Sequence, residues 1–198
     1  STMQITKAME LVASSKLRKA KERQEKCRPY FMGLKQTLES IETATNDFSS
    51  PYQQQREVKK RCLIVIAGDR GLAGGYNSNV FKSIQPMLEE GPVCVLPIGK
   101  RTVDFFARNG VEMLTTEFAE AASVSVSDCF TISNLIMKGY LSGQYDEVSV
   151  VYTRFVSMLT QTPARDALLP LEKLERNAET GVRQLVLYEP SPSAVYDA

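Results

Sequence analysis

The feature that most constrains this chain is its beginning. From residue 2 to about residue 48 there is no period-two alternation of apolar and polar residues, and good helix formers dominate. Leu17, Ala20, Cys27, Phe31, Leu34, Leu38 and Ile41 recur there at steps of three and four, broken only by Gln24. Such a seam is what one face of a coiled-coil helix carries. Ile5, Met9 and Val12 form a second stripe upstream, accompanied by the small residues Ala8 and Ala13. Pro29 and Gly33 oppose a helix, because an interior proline costs about 3 kcal/mol. The seam nevertheless keeps its phase across Pro29, which a true break would not require. The reading is one long helix, kinked or loosened near Pro29, with two consecutive helices as the alternative. About 46 residues at 1.5 Å each reach roughly 70 Å, whereas a body made from the remainder would be roughly 40 Å across. Such a helix projects, and its apolar seam needs a partner.

Charge separates the chain at nearly the same place. The 198 residues carry 24 basic and 23 acidic side chains, a net of +1. Residues 1–28 hold eight basic against three acidic residues, or +5, which leaves −4 on the rest. A body of that sign repels nucleic acid, and the basic helix lacks the density of base-reading side chains that a duplex binder needs. Histidine is absent, which removes the commonest general base, the Ser-His and Cys-His nucleophiles and the commonest metal ligand. Cys27, Cys62, Cys94 and Cys129 are too widely spaced for a zinc site. Cys62 and Cys94 lie in apolar runs, as buried reduced thiols would in a cytoplasmic protein. No apolar run nears the roughly 20 residues that span a bilayer, and Ser-Thr-Met-Gln does not open a secretory signal. The chain starts without Met and within a helical pattern, as a fragment would.

Beyond a polar linker, strands and helices alternate. Arg61–Ala67 reads as a buried strand, followed by the loop Gly68–Tyr76 and a helix from Asn77 to about Glu90. Pro92–Gly99 is a strand, Lys100–Asn109 a helix and Val111–Leu114 a short strand. Val126 to about Ser142 is a helix with Ile132, Leu135, Ile136 and Leu141 turned to the core. Glu147–Val156 is a strand, Ser157–Pro170 its antiparallel continuation and Arg183–Tyr188 a last strand. This order predicts an α/β fold: a long N-terminal coiled-coil helix on a Rossmann-like, mainly parallel sheet with flanking helices.

The segment GDRGLAGGYN, Gly68–Asn77, sits where nucleotide loops sit, between a first strand and a helix. It fails both phosphate patterns. No G-x-G occurs, and the helix opens Gly75-Tyr76-Asn77-Ser78 without lysine. Asp69 would also turn a negative charge towards a phosphate. The glycines are better read as allowing a tight turn, with Asn77 or Ser78 capping the helix and Asp69 and Arg70 free to pair with each other or a partner. Glu89-Glu90 and Lys100-Arg101 read as solvated helix ends, Asp146-Glu147 precedes a strand with no positioned partner that the sequence shows, and Tyr140 and Tyr145 read as packing residues. Nothing assembles an acid, a base and a nucleophile, so no catalytic, cofactor or metal residue is assigned. An α/β nucleotide-binding enzyme with a helical appendage remains the competing reading.

ITKAMELVASSKLRKA (Ile5–Ala20) resembles the N-terminal helix of the gamma subunits of F-type ATP synthases. RPY (Arg28–Tyr30), GDRGLAGGYNSN (Gly68–Asn79), LLPL (Leu168–Leu171) and YEPSPSAV (Tyr188–Val195) follow in that family's order, so the resemblance covers essentially the whole chain. Gly68 departs from the Ser or Thr usual there. The resemblance implies a central rotor shaft that turns inside a ring of alpha and beta subunits, grips the epsilon subunit and the c-ring, and has no active site of its own. It implies a peripheral protein on the cytoplasmic face of a bacterial membrane, with no bilayer insertion, cofactor or nucleic-acid partner. Lys7, Met9, Val12, Lys16, Leu17, Arg18 and Lys19 match the ring-contacting segment. Asp69, Arg70, Gly71, Gly74, Gly75 and Asn77 match a loop at the foot of the shaft. Ala20, Cys27, Phe31, Leu34, Leu38 and Ile41 match the coiled-coil seam. The implied domains are a shaft helix over 1–50, a linker over 51–60, a body over 61–190, and over 191–198 the start of a second long helix that should complete the coil. The paired cysteines of the chloroplast branch's regulatory insertion are not present.

Overall fold

The computed structural model describes residues 2–44 and 50–171. They form two compact units, a helix and an α/β body beginning at Pro51. Helix α1, Thr2–Ala44, runs uninterrupted through Pro29 and Gly33. The single-helix reading is therefore the observed one, and the two-helix alternative is excluded over this span. Side-chain back-bonds from Thr37 to the Gly33 carbonyl (2.9 Å) and from Ser40 to the Gln36 carbonyl (2.8 Å) lie along the turns that follow.

The body is a five-stranded sheet. Its strands are β1 (Arg61–Ile66), β2 (Val93–Ile98), β3 (Glu112–Met113), β4 (Glu147–Phe155) and β5 (Gln161–Leu169). They lie in the order β3-β2-β1-β4-β5; β1, β2, β3 and β4 are parallel and β5 is antiparallel to β4. The connecting helices are α2 (Tyr76–Glu90), α3 (Lys100–Arg108) and α4 (Val126–Leu141). β1 is buried on both faces, which is why RCLIVI is continuously apolar after its first residue. Cys62, Ile64, Cys94, Leu96 and Val148 share one core with Ile132, Ile136 and Tyr140 of α4. Leu63, Val65, Val95 and Val151 share the other with Val80, Ile84 and Met87 of α2 and Phe106 of α3. Phe81 stacks on Phe105 at 4.2 Å between centroids and meets Phe106 edge-on, locking α2 to α3. Each fully buried aliphatic side chain contributes roughly 1.5–3 kcal/mol.

Two expectations need correction. Leu135 and Leu141 were expected in the core but are solvent-exposed. The buried face of α4 is Ile132, Ile136, Gly139 and Tyr140, and at 100° per residue Leu135 and Leu141 fall well to either side of it. Residues 51–60, expected as a linker, form a strap on the body. The Tyr140 hydroxyl donates to the Gln54 carbonyl (3.1 Å), and the Arg56 guanidinium donates to the Tyr140 carbonyl (2.9 Å) while lying 4.6 Å over its ring. Asp146 accepts the amides of Lys59 and Lys60, and Lys60 pairs with Glu112 at 2.7 Å. Asp146-Glu147, for which the sequence shows no positioned partner, is thus held on both residues, since Glu147 also pairs with Arg61 at 3.5 Å. The expected strand Arg183–Tyr188 and the expected helix start at 191–198 lie outside the described residues.

Two glycines are fixed by close approach. Gly99 turns β2 into α3 at φ 101°, and a Cβ there would collide with the Ala67 carbonyl. Gly139 lies within α4, and a Cβ there would run into the Tyr145 hydroxyl, which donates to the Ile136 carbonyl at 2.8 Å.

Candidate functional site

The basic helix presents its charges to solvent. Lys7, Lys16, Arg18 and Lys19 are all exposed, with Met9 and Val12 among them and Leu17 half-buried. Arg18 reaches Glu22 at 3.8 Å one turn on, a contact worth about 0.3–0.5 kcal/mol at such exposure. Lys7, Lys16 and Lys19 form no ion pair among the described residues. Further along, Ala20, Cys27, Phe31 and Leu34 are exposed, Leu38 is half-buried and Ile41 is fully buried.

The glycine loop stands at the topological switch point, where β1 has β2 on one side and β4 on the other and where doubly wound sheets bind ligands. Two of its polar side chains, Asn77 and Asp69, are spent internally. Asn77 Oδ1 accepts the Gly68 amide at 2.8 Å, and its Nδ2 donates to the Arg70 carbonyl at 3.2 Å. Asp69 accepts the amides of Ala121 (2.7 Å) and Ala122 (3.2 Å) at the start of a 3₁₀ turn. This corrects two expectations. Asp69 does not pair with Arg70, because its carboxylate satisfies orphan donors of a distant turn. Neither Asn77 nor Ser78 caps α2, whose N-cap is Gly75 without a side-chain bond; Ser78 donates to the Gly75 carbonyl instead.

The rest of the loop is tight and strained. A Cβ on Gly71 would lie 3.1 Å from an Arg101 nitrogen, and one on Gly75 would lie 3.0 Å from the Asn79 amide. Gly74 takes φ 55° and Leu72 φ 60°, the latter in the left-handed region that disfavours a bulky side chain, with Leu72 fully exposed. A loop so arranged braces β1 against the segment before α4 and displays one apolar side chain at its tip. Sequence reasoning missed the brace, because nothing local to Asp69 marks Ala121 and Ala122, some fifty residues away, as its partners.

Cys62 and Cys94 face each other in register across β1 and β2 and are free thiols. The Cys62 thiol is pushed well above its ordinary value by its hydrogen bond with Cys94 and then by burial. It stays protonated and inert, as expected of a core residue. Cys27 and Cys129 are exposed. Tyr145 is likewise raised, chiefly by burial.

Fold and surfaces together define a class: a chain with a long basic helix and an α/β body, whose glycine loop commits Asp69 and Asn77 to backbone groups and shows Leu72 to solvent. A family model described as ATP synthase matches residues 1–198. The chain is 39 % identical over 203 residues to an ATP synthase gamma chain of Ruminococcus albus and 42 % identical over 205 to that of Alkaliphilus metalliredigens. Both alignments take in all of this chain and 70 % of the relative. The chain belongs to the ATP synthase gamma-chain family. In fold it is similar to a central-stalk chain of the Tetrahymena thermophila mitochondrial ATP synthase, with a TM-score of 0.62 at 20 % identity, covering 98 % of this chain and 84 % of that one.

Proposed function

We propose that the chain is the central rotor shaft of an F-type ATP synthase. In this reading it transmits torque between the c-ring and the ring of alpha and beta subunits, coupling proton or sodium transport to ATP synthesis or hydrolysis. It performs no catalysis itself. The observation that carries this is α1: 43 residues of unbroken helix, roughly 65 Å long, with exposed basic side chains and an exposed apolar face. Lys7, Met9, Val12, Lys16, Leu17, Arg18 and Lys19 meet the catalytic ring, where positive charge suits acidic lever segments. Ala20, Cys27, Phe31, Leu34, Leu38 and Ile41 pack on a second stalk helix. Asp69, Arg70, Gly71, Gly74, Gly75 and Asn77 brace the foot of the shaft, near the epsilon subunit and the c-ring. No helix among the described residues is long and apolar enough to cross a membrane. The chain then sits on the cytoplasmic face of a bacterial membrane, held there by its partners.

The test replaces Lys16, Arg18 and Lys19 together with Glu in the assembled enzyme. The complex should still purify with alpha, beta and this chain at 3:3:1, while proton pumping per ATP hydrolysed and ATP synthesis both fall. Single replacements should be mild, since an exposed pair contributes about 0–1 kcal/mol. Unchanged pumping and synthesis in the triple variant would refute the charge argument, and absence of the chain from any such assembly would refute the shaft.

A further inference from the structure

We propose that the tip of the β4–β5 hairpin is a peg that seats in an uncharged, apolar recess of another protein subunit. This rests on the shaft reading for its setting but adds a contact that reading does not assign. Pairing of β4 with β1 stops at Val151, whereas pairing with β5 runs on from Tyr152↔Ala164 to Phe155↔Gln161. The last turns of the hairpin therefore overhang the sheet as a two-stranded ribbon. Its tip carries Val156 (61 % exposed), Met158 (66 %) and Leu159 (98 %), next to the partly exposed Phe155. A hairpin tip ordinarily holds Gly, Asn or Asp; this one has none of them, and residues 155–164 contain no charge.

The tip is also ordered from within. The amides of Val156 and Ser157 donate to the Thr160 carbonyl (3.1 and 3.0 Å), and the Ser157 hydroxyl oxygen accepts the amides of Leu159 (3.2 Å) and Thr160 (3.0 Å). These bonds hold Met158 and Leu159 outward, so little ordering entropy remains to be lost on docking. Charge selects the occupant. Arg154 is neutralised on the ribbon itself by Asp166 at 2.9 Å, with the Tyr152 hydroxyl donating to the same carboxylate at 2.7 Å. Attachment to an anionic lipid surface draws on a cationic flank and interfacial Trp or Tyr, and the tip offers neither. A rigid, charge-free peg is complementary to a charge-free protein pocket, in the manner of a small anchoring cluster within a larger interface.

The test places the photo-crosslinking residue benzoylphenylalanine at Leu159 in the purified, assembled enzyme and locates the adduct by mass spectrometry. The expected result is a single adduct in an apolar segment of a different subunit. In the Met158→Ser/Leu159→Ser double variant that subunit should dissociate at least tenfold faster, while the circular dichroism of the chain is unchanged. Adducts to lipid or to a second copy of this chain, no adduct, or unaltered dissociation would each overturn the peg. A chain that assembles but gives no adduct defeats only the peg; a chain that never assembles defeats the shaft reading as well.

Discussion

At the scale of single residues, the body is held by side chains whose partners lie far along the chain. Gly139 shows how a magnitude decides the sign of a substitution. Ala in place of Gly within a helix gains about 1 kcal/mol of propensity. Here the new methyl meets the buried Tyr145 ring, and overpacking of that kind costs about 1–3 kcal/mol. Gly139→Ala should therefore lower the urea midpoint of the chain, and an unchanged or higher midpoint would mean that Tyr145 has room to move. A second residue-scale effect is pH-dependent. Ser125 and Asp128 close a reciprocal cap on α4, and the Ser125 hydroxyl, followed by its amide, holds the Asp128 carboxyl below its ordinary value of 3.8. A depressed carboxyl stabilises the folded state above the ordinary value and loses that effect as the pH falls through its folded value. In Ser125→Ala the Asp128 titration followed by NMR should move up towards 3.8, and an unmoved titration would place the cause elsewhere. The cap itself was legible in principle, as Ser-x-x-Asp before an apolar run. The partners of Asp69 and Arg56 were not, because they arise only when the sheet brings distant segments together.

At the scale of elements, sequence and structure agree where periodicity is strong. The nine helices and strands from α1 to β5 follow the expected order, and their described boundaries differ by a residue or two except at the start of β5. The seam's phase across Pro29 outweighed the proline's local penalty, and the helix is continuous there. That penalty is still present in the folded state. Pro29→Ala should release about 3 kcal/mol of it, seen as a higher melting temperature of the helical circular dichroism signal. No rise would mean that the helix has already relieved the strain locally. What periodicity could not settle was the facing of α4. Leu135, Ile136 and Leu141 are equally apolar, and which of them is buried depends on how the helix rolls on β1 and β4. The 51–60 strap is not legible in the sequence for a related reason. Its polar composition suggests a solvated linker, yet several of its polar groups bond to α4 and to the residues before β4.

At the scale of the molecule, the Rossmann-like order puts the glycine loop where such sheets usually bind ligands. The switch point is filled by a loop whose carboxylate and amide are committed to backbone groups. Isothermal calorimetry of the chain with ATP, ADP and NAD should give no micromolar binding, and heat at that level would restore the enzyme reading. Asp69 has a further consequence, best put in mechanical language. Its two bonds join the loop after β1 to the turn before α4, so these two outlying spans and the sheet beneath form a closed frame. A push delivered at Leu72 is divided between a strand and a helix, and the loop deflects only as far as two charge-assisted bonds, one of them short, will stretch. Such a frame has low compliance and springs back without creep, which is what a part that is loaded and unloaded at every turn requires.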